Sequence, residues 1–166
     1  MPQANKARPD VALADRTFSS REVCRIANVS LRQLQWWDEC KVVSPQHEGH
    51  RRIYLPEEVV TVALIAELRR KGFSLQKLRR VVRFLHREMG KHLSNVLDGE
   101  SDLHLLTDGK SIYLEDRPGR VIDLLKNSGQ PMFLVCVSDK AMRLRMPSKK
   151  PVRAATSGSG RKARVG

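Results

Sequence analysis

The chain has 166 residues, 40% of them hydrophobic, which suffices for one ordinary core or two small ones and excludes a large multidomain enzyme. Lysine and arginine number 31 against 18 acidic residues, and the formal charge of +13 favours an anionic partner. The three cysteines, Cys24, Cys40 and Cys136, are scattered and form no C-x-x-C pair, which argues against a disulfide scaffold or a cysteine-rich zinc site.

The charge is unevenly placed. Residues 17–90 carry 14 basic and 8 acidic side chains, residues 91–146 are neutral, and residues 147–166 carry six basic side chains and no acid. Residues 1–16 and 147–166 lack apolar periodicity and read as a disordered N-terminal arm and a disordered basic tail. The longest nearly apolar run, Val59 to Ala66, is far below the roughly 18 residues that span a bilayer, and the start of the chain has no apolar signal segment.

The first structured element opens at Ser19-Ser20-Arg21-Glu22, a capping-box pattern that predicts a helix from Ser20. Ala27-Asn28-Val29 breaks it, and Ser30-Leu31-Arg32-Gln33 repeats the start signal before Leu31, Leu34 and Trp37 at helical spacing. Two short helices joined by a tight turn make a helix-turn-helix. Val42 to Ser44, the polar stretch around Gly49 and Arg51-Arg52-Ile53-Tyr54 predict a small hairpin, the wing.

Pro56-Glu57-Glu58 suits a helix start, because proline lacks only an N–H that is unpaired there and the acids complement the helix dipole. That third helix runs to about Arg70, and Gly72 followed by Ser74 stops it and caps a fourth, whose core stripe is Leu75, Leu78, Val82, Leu85 and Met89. Past Gly90 the pattern changes to short apolar runs broken by turn signals. Leu103 to Thr107 and Lys110 to Glu115 predict a hairpin about Asp108-Gly109, Val121 to Leu125 a third strand, and Pro131 to Val137 a fourth that is central in the sheet or covered by a partner chain.

The expected organisation is a winged helix-turn-helix over 17–90, a linker over 91–101 and a small β-rich dimerisation or effector module over 102–146. The first half is mainly α, with four helices and a wing, and the whole is α+β. Apolar residues from Val23 to Leu85 predict that the winged half has a core of its own, so that deleting everything after Gly99 leaves it folded.

A helix that enters a DNA major groove needs side chains in its first turns that reach base edges, and Ser30, Arg32 and Gln33 stand there. Arg32 is the best candidate for a base or phosphate contact. Gln35 can bond a base edge or phosphate, and the Trp36 indole can donate one hydrogen bond or pack on sugar. Successive strand residues face opposite ways, so one of Arg51 and Arg52 should face phosphate; Tyr54 has either a core role or a phosphate hydrogen bond. Arg70 and Lys71, beside Arg69, offer a further phosphate contact. His47, His50, His86, His92 and His104 have no cysteine at ligand spacing, and no P-loop, nucleophile elbow or dinucleotide glycine pattern occurs; no metal, no cofactor and no enzyme activity are expected.

Across about residues 17–88 the string resembles the DNA-binding domain of the MerR family of bacterial transcription regulators. The resemblance rests on Phe18 to Val23, on Asn28 to Glu39, on Pro45 with Gly49 to Glu58, and on Leu68 to Leu75 in the family's order and spacing. It departs at Gln35-Trp36-Trp37, where the family usually has an arginine and two tyrosines, and at Gly90 and Gly99, which interrupt the long helix through which typical members dimerise. The resemblance implies a cytoplasmic, nucleoid-associated, homodimeric regulator that binds double-stranded promoter DNA and bends it, with RNA polymerase as a further partner and no membrane association. Two rival readings are an excisionase-like architectural protein and a chaperone-modulator-like adaptor; the +6 on the winged half weighs against the adaptor.

Overall fold

The computed structural model describes residues 13–145. Of the terminal segments expected to be disordered, 1–12 and 147–166 lie outside the described residues, whereas Leu13–Asp15 form one 3-10 turn ahead of the first strand.

Strand β1 (Phe18–Ser19) leads directly into helix α1 (Ser20–Ala27). The capping box forms: Glu22 N–H donates to Ser19 Oγ at 3.3 Å and Ser19 N–H to Glu22 Oε2 at 2.8 Å. Asn28 ends the helix in the left-handed region at φ 54°, a conformation that short polar side chains tolerate, and Val29 N–H closes on the Cys24 carbonyl. Helix α2 (Leu31–Glu39) starts at once, with Ser30 Oγ accepting from Gln33 N–H at 3.1 Å and with Leu34 and Trp37 buried.

The wing is β2 (Gln46–Glu48) against β3 (Arg51–Tyr54), turned by Gly49 at φ +62°. Both β2 and β1 pair antiparallel with β3, so the expected hairpin is a three-stranded sheet in which Phe18 stands opposite Tyr54.

Helix α3 (Pro56–Arg70) is the axis of the molecule. Val59 to Ala66 are buried without a break, so no face of that stretch meets water. α1 and α4 (Leu75–Glu88) cover part of it. The remainder is covered by α7 (Val137–Arg145), an element that sequence reading missed. Its signal was present, because Val137, Ala141 and Leu144 recur at helical spacing and all three are buried.

After α4, a 3-10 turn (Met89–Lys91) and α5 (Leu93–Leu97) occupy the segment expected as a linker, and Met89, Val96 and Leu97 are buried. The second sheet contains β4 (His104–Thr107), β5 (Ile112–Glu115) and β6 (Phe133–Cys136), all antiparallel in the order β5-β4-β6. The expected hairpin forms, with Asp108 Oδ1 accepting from the N–H groups of Lys110 and Ser111 at 2.8 and 2.7 Å.

Two expectations are corrected here. Val121 to Leu125 is not a strand but part of α6 (Pro118–Asn127), since Pro118 starts a helix without loss and Val121, Leu124 and Leu125 stand at i, i+3 and i+4. The apolar strand β6 is an edge, with β4 in the centre. Its inward Val135 joins a single apolar cluster with α3, α4, α5 and α7, so the two halves of the chain share one core.

Candidate nucleic-acid interface

The capped start of α1, the outer face of α2 and the wing enclose an open cleft of about 730 Å³, lined in part by Ser20, Arg21, Gln35, His50, Arg51 and Arg52. Three of the expected contact residues, Gln35, Arg51 and Arg52, therefore meet in one place. Arg21, which sequence reading missed, joins them because β1 pairs with the wing strand β3 and runs straight into the first turn of α1.

On α2, Ser30 acts as the helix cap, Arg32 is exposed, and Gln33 and Gln35 are half-buried. Trp36 is 41% exposed, a large aromatic face left in water beside Arg32, whereas Trp37 packs in the core. The start of the helix therefore presents side chains that can reach outward.

The wing arginines divide as strand alternation requires. Arg51 is exposed, and among the described residues it enters no ion pair. Arg52 turns inward, and its Nε donates to Asp38 Oδ2 on α2 at 2.6 Å, with His47 Nε2 3.8 Å from the same oxygen. Arg52 thus holds the wing to α2 through its Nε while also lining the cleft.

The expected phosphate contact at Tyr54 is corrected: the residue is 0% exposed, so its hydroxyl has no access to a phosphate and its role is in the core. Burial, with the Asp38 carboxylate nearby, pushes its phenol up to about 12.

Arg70 Nη1 donates to the Asn28 carbonyl at 3.4 Å, beside the turn that precedes α2, so it remains near the start of that helix. Lys71 faces elsewhere, 4.0 Å from Glu67 and over the Phe133 ring at 5.8 Å. Arg79 was also missed: its guanidinium donates to the Cys40 carbonyl at 2.9 Å and fixes the end of α2 against α4.

Among the described residues no three His, Cys, Asp or Glu side chains gather as metal ligands, and no helix is long and apolar enough to cross a membrane. Burial raises the Cys24 thiol above its ordinary range, which disfavours its reactive thiolate.

Residues 18–85 match the family model described as MerR HTH family regulatory protein. Uncharacterized HTH-type transcriptional regulators of Mycobacterium tuberculosis and Mycobacterium bovis are 29% identical over 142 residues, 81% of this chain and 59% of theirs. The chain thus spans about three fifths of the length of these curated relatives. A crystal structure of a transcriptional regulator of the MerR family from Bacillus cereus aligns with 78% of this chain and 94% of that one, at 14% identity and a TM-score of 0.37, a level that bears on neither arrangement nor function.

Proposed function

We propose that this chain, whose residues 18–85 match the model of the MerR helix-turn-helix regulators, is a sequence-specific transcription regulator that binds promoter DNA as a dimer. The observation that carries the reading is the cleft where Gln35, Arg51 and Arg21 converge beside the exposed start of α2. In this reading Ser30, Arg32 and Gln33 approach base edges, Gln35 and Trp36 lie against the strand beside them, and Arg51 and Arg70 bond phosphates on either side. Arg52 acts indirectly by fixing the wing, and Lys71 offers at most a peripheral charge.

The second sheet supports a dimer contact. Leu106, Tyr113 and Leu134 stand opposite one another on the face turned away from the shared core. Helix α6 packs on β5, yet Tyr113, Leu134, Ile122 and Leu125 stay between 37 and 50% exposed. Residues 91–146 carry no net charge, so two copies can meet through this face without the repulsion that the basic half imposes. In this reading RNA polymerase at the same promoter is a further partner.

Enrichment of duplexes from a random pool by the full chain, followed by mapping of genomic occupancy, tests the proposal. An inverted repeat at promoters is the expected result. Occupancy confined to recombination attachment sites, or binding as a strict monomer, would overturn it.

A further inference from the structure

The recognition helix and wing leave most of the basic surface unused. On α4, Arg80, Arg83 and Arg87 follow one another at intervals of three and four residues, which places them along one side of the helix over about 10 Å. They line an open cleft of about 350 Å³ whose other walls are Phe84, Lys110 and Ile112. No carboxylate lines it, and among the described residues none of these four cations has an acidic partner within 4 Å.

The hairpin that carries Lys110 is held firmly to α4. The Lys77 side chain lies so close over Gly109 that a Cβ there would meet its Cδ at 3.0 Å. The row is also continuous with the candidate interface. Arg79 binds the carbonyl at the end of α2, and a neighbouring cleft of about 390 Å³ includes Lys41, Arg79, Arg83 and His86, with Glu58 as its one carboxylate. Cations thus run from the end of α2 across α4 to the hairpin tip.

We propose that this arginine face of α4, with Lys110, is a second phosphate-binding surface that takes the backbone of DNA flanking the segment read by α2. The proposal rests on the reading of the chain as a DNA-binding regulator. Four uncompensated cations in an open row repel one another until a polyanion lies along them, and a passing phosphate backbone supplies successive charges over such a length. A free nucleotide fits less well, because Phe84 is half-buried and leaves no open aromatic face for a base to stack on.

The test uses the full chain and a duplex that it enriches from a random pool, prepared with long flanks and again trimmed to the enriched segment. The slope of log affinity against log salt is read for each. Each lost phosphate contact removes about 0.9 units of slope, so Arg80→Gln/Arg83→Gln/Arg87→Gln/Lys110→Gln should lose about three to four units on the long duplex and almost none on the trimmed one. Arg51→Gln should lose about one unit on both. If the quadruple variant shifts the thermal midpoint, Arg87→Gln/Lys110→Gln carries the same comparison with a loss of one to two units, on the order of one per contact. Equal slopes for wild type and variant on the long duplex overturn the proposal while leaving the regulator reading intact. Binding of ATP that the variant abolishes, with flank length irrelevant, reassigns the face to a nucleotide. A wild-type chain that enriches no duplex and shows no salt-sensitive DNA binding overturns both readings together.

Discussion

The guanidinium of Arg52 on the wing and the carboxylate of Asp38 on α2 meet at 2.6 Å, largely withdrawn from solvent. This pair makes the wing and α2 one unit, and it separates the roles of two adjacent arginines. Arg51→Ala should weaken binding to every duplex and reduce the salt slope by about one unit, with stability unchanged. Arg52→Ala should cost about 1–2 kcal/mol of stability in urea unfolding, because Asp38 loses a charge-assisted partner. If Arg52→Ala instead gives the slope loss and Arg51→Ala does nothing, the assignment is reversed.

Arg32 is exposed at the start of α2, without an intramolecular partner among the described residues that would hold it back. Arg32→Ala should relax base preference at one position per half-site, costing on the order of 1–3 kcal/mol on the preferred duplex and less on others. Affinities measured over single-base variants of the enriched duplex decide it. Uniform loss across all of them makes Arg32 a backbone contact.

Tyr54 supplies a control inside the same strand. Its hydroxyl is fully buried, so Tyr54→Phe should leave DNA affinity unchanged. The phenol also sets an alkaline limit. Its folded value of about 12 lies above the ordinary tyrosine value, so the unfolded chain releases its proton first and stability falls as pH rises from about 10 toward 12. Urea midpoints for Tyr54→Phe should lack that part of the decline. A lowered DNA affinity in this variant would return Tyr54 to the interface.

Glu67 on α3 is bonded to Lys140 on α7, and Lys140 is almost entirely buried. Glu67→Ala should cost about 3–5 kcal/mol because it strands a buried ammonium, whereas Glu67→Ala with Lys140→Met should regain most of that loss. Thermal and urea unfolding of the two variants measure it. Equal destabilisation in both would mean that the pair matters only for packing.

The same contact changes the expectation for truncation. A chain that ends at Gly99 lacks α7 and β6, so Val135, Val137, Ala141 and Leu144 no longer cover α3. The truncated protein should show exposed apolar surface by dye binding and lose cooperative unfolding, rather than persist as an independent winged domain. A sharp unfolding transition for residues 1–99 would show that the winged half is self-sufficient after all.

What the sequence by itself determined is the local chemistry of the first half. The serine caps at 19, 30 and 74, the helical start at Pro56 and the glycine turn of the wing are decided by neighbours within four residues, and each forms where the pattern places it. The identity of the helix-turn-helix was legible for the same reason. Tertiary structure decided which polar groups remain free. Arg51 and Arg52 are equivalent in sequence, and only the approach of Asp38, 14 residues away, consumes one of them. Likewise Val121 to Leu125 is short and apolar enough for strand or helix, and α7 hides behind a run of charges. The unbroken apolar run of α3 showed that it is buried all round but not by what, because hydrophobicity is non-directional and the partner that covers a surface is chosen by the path of the whole chain.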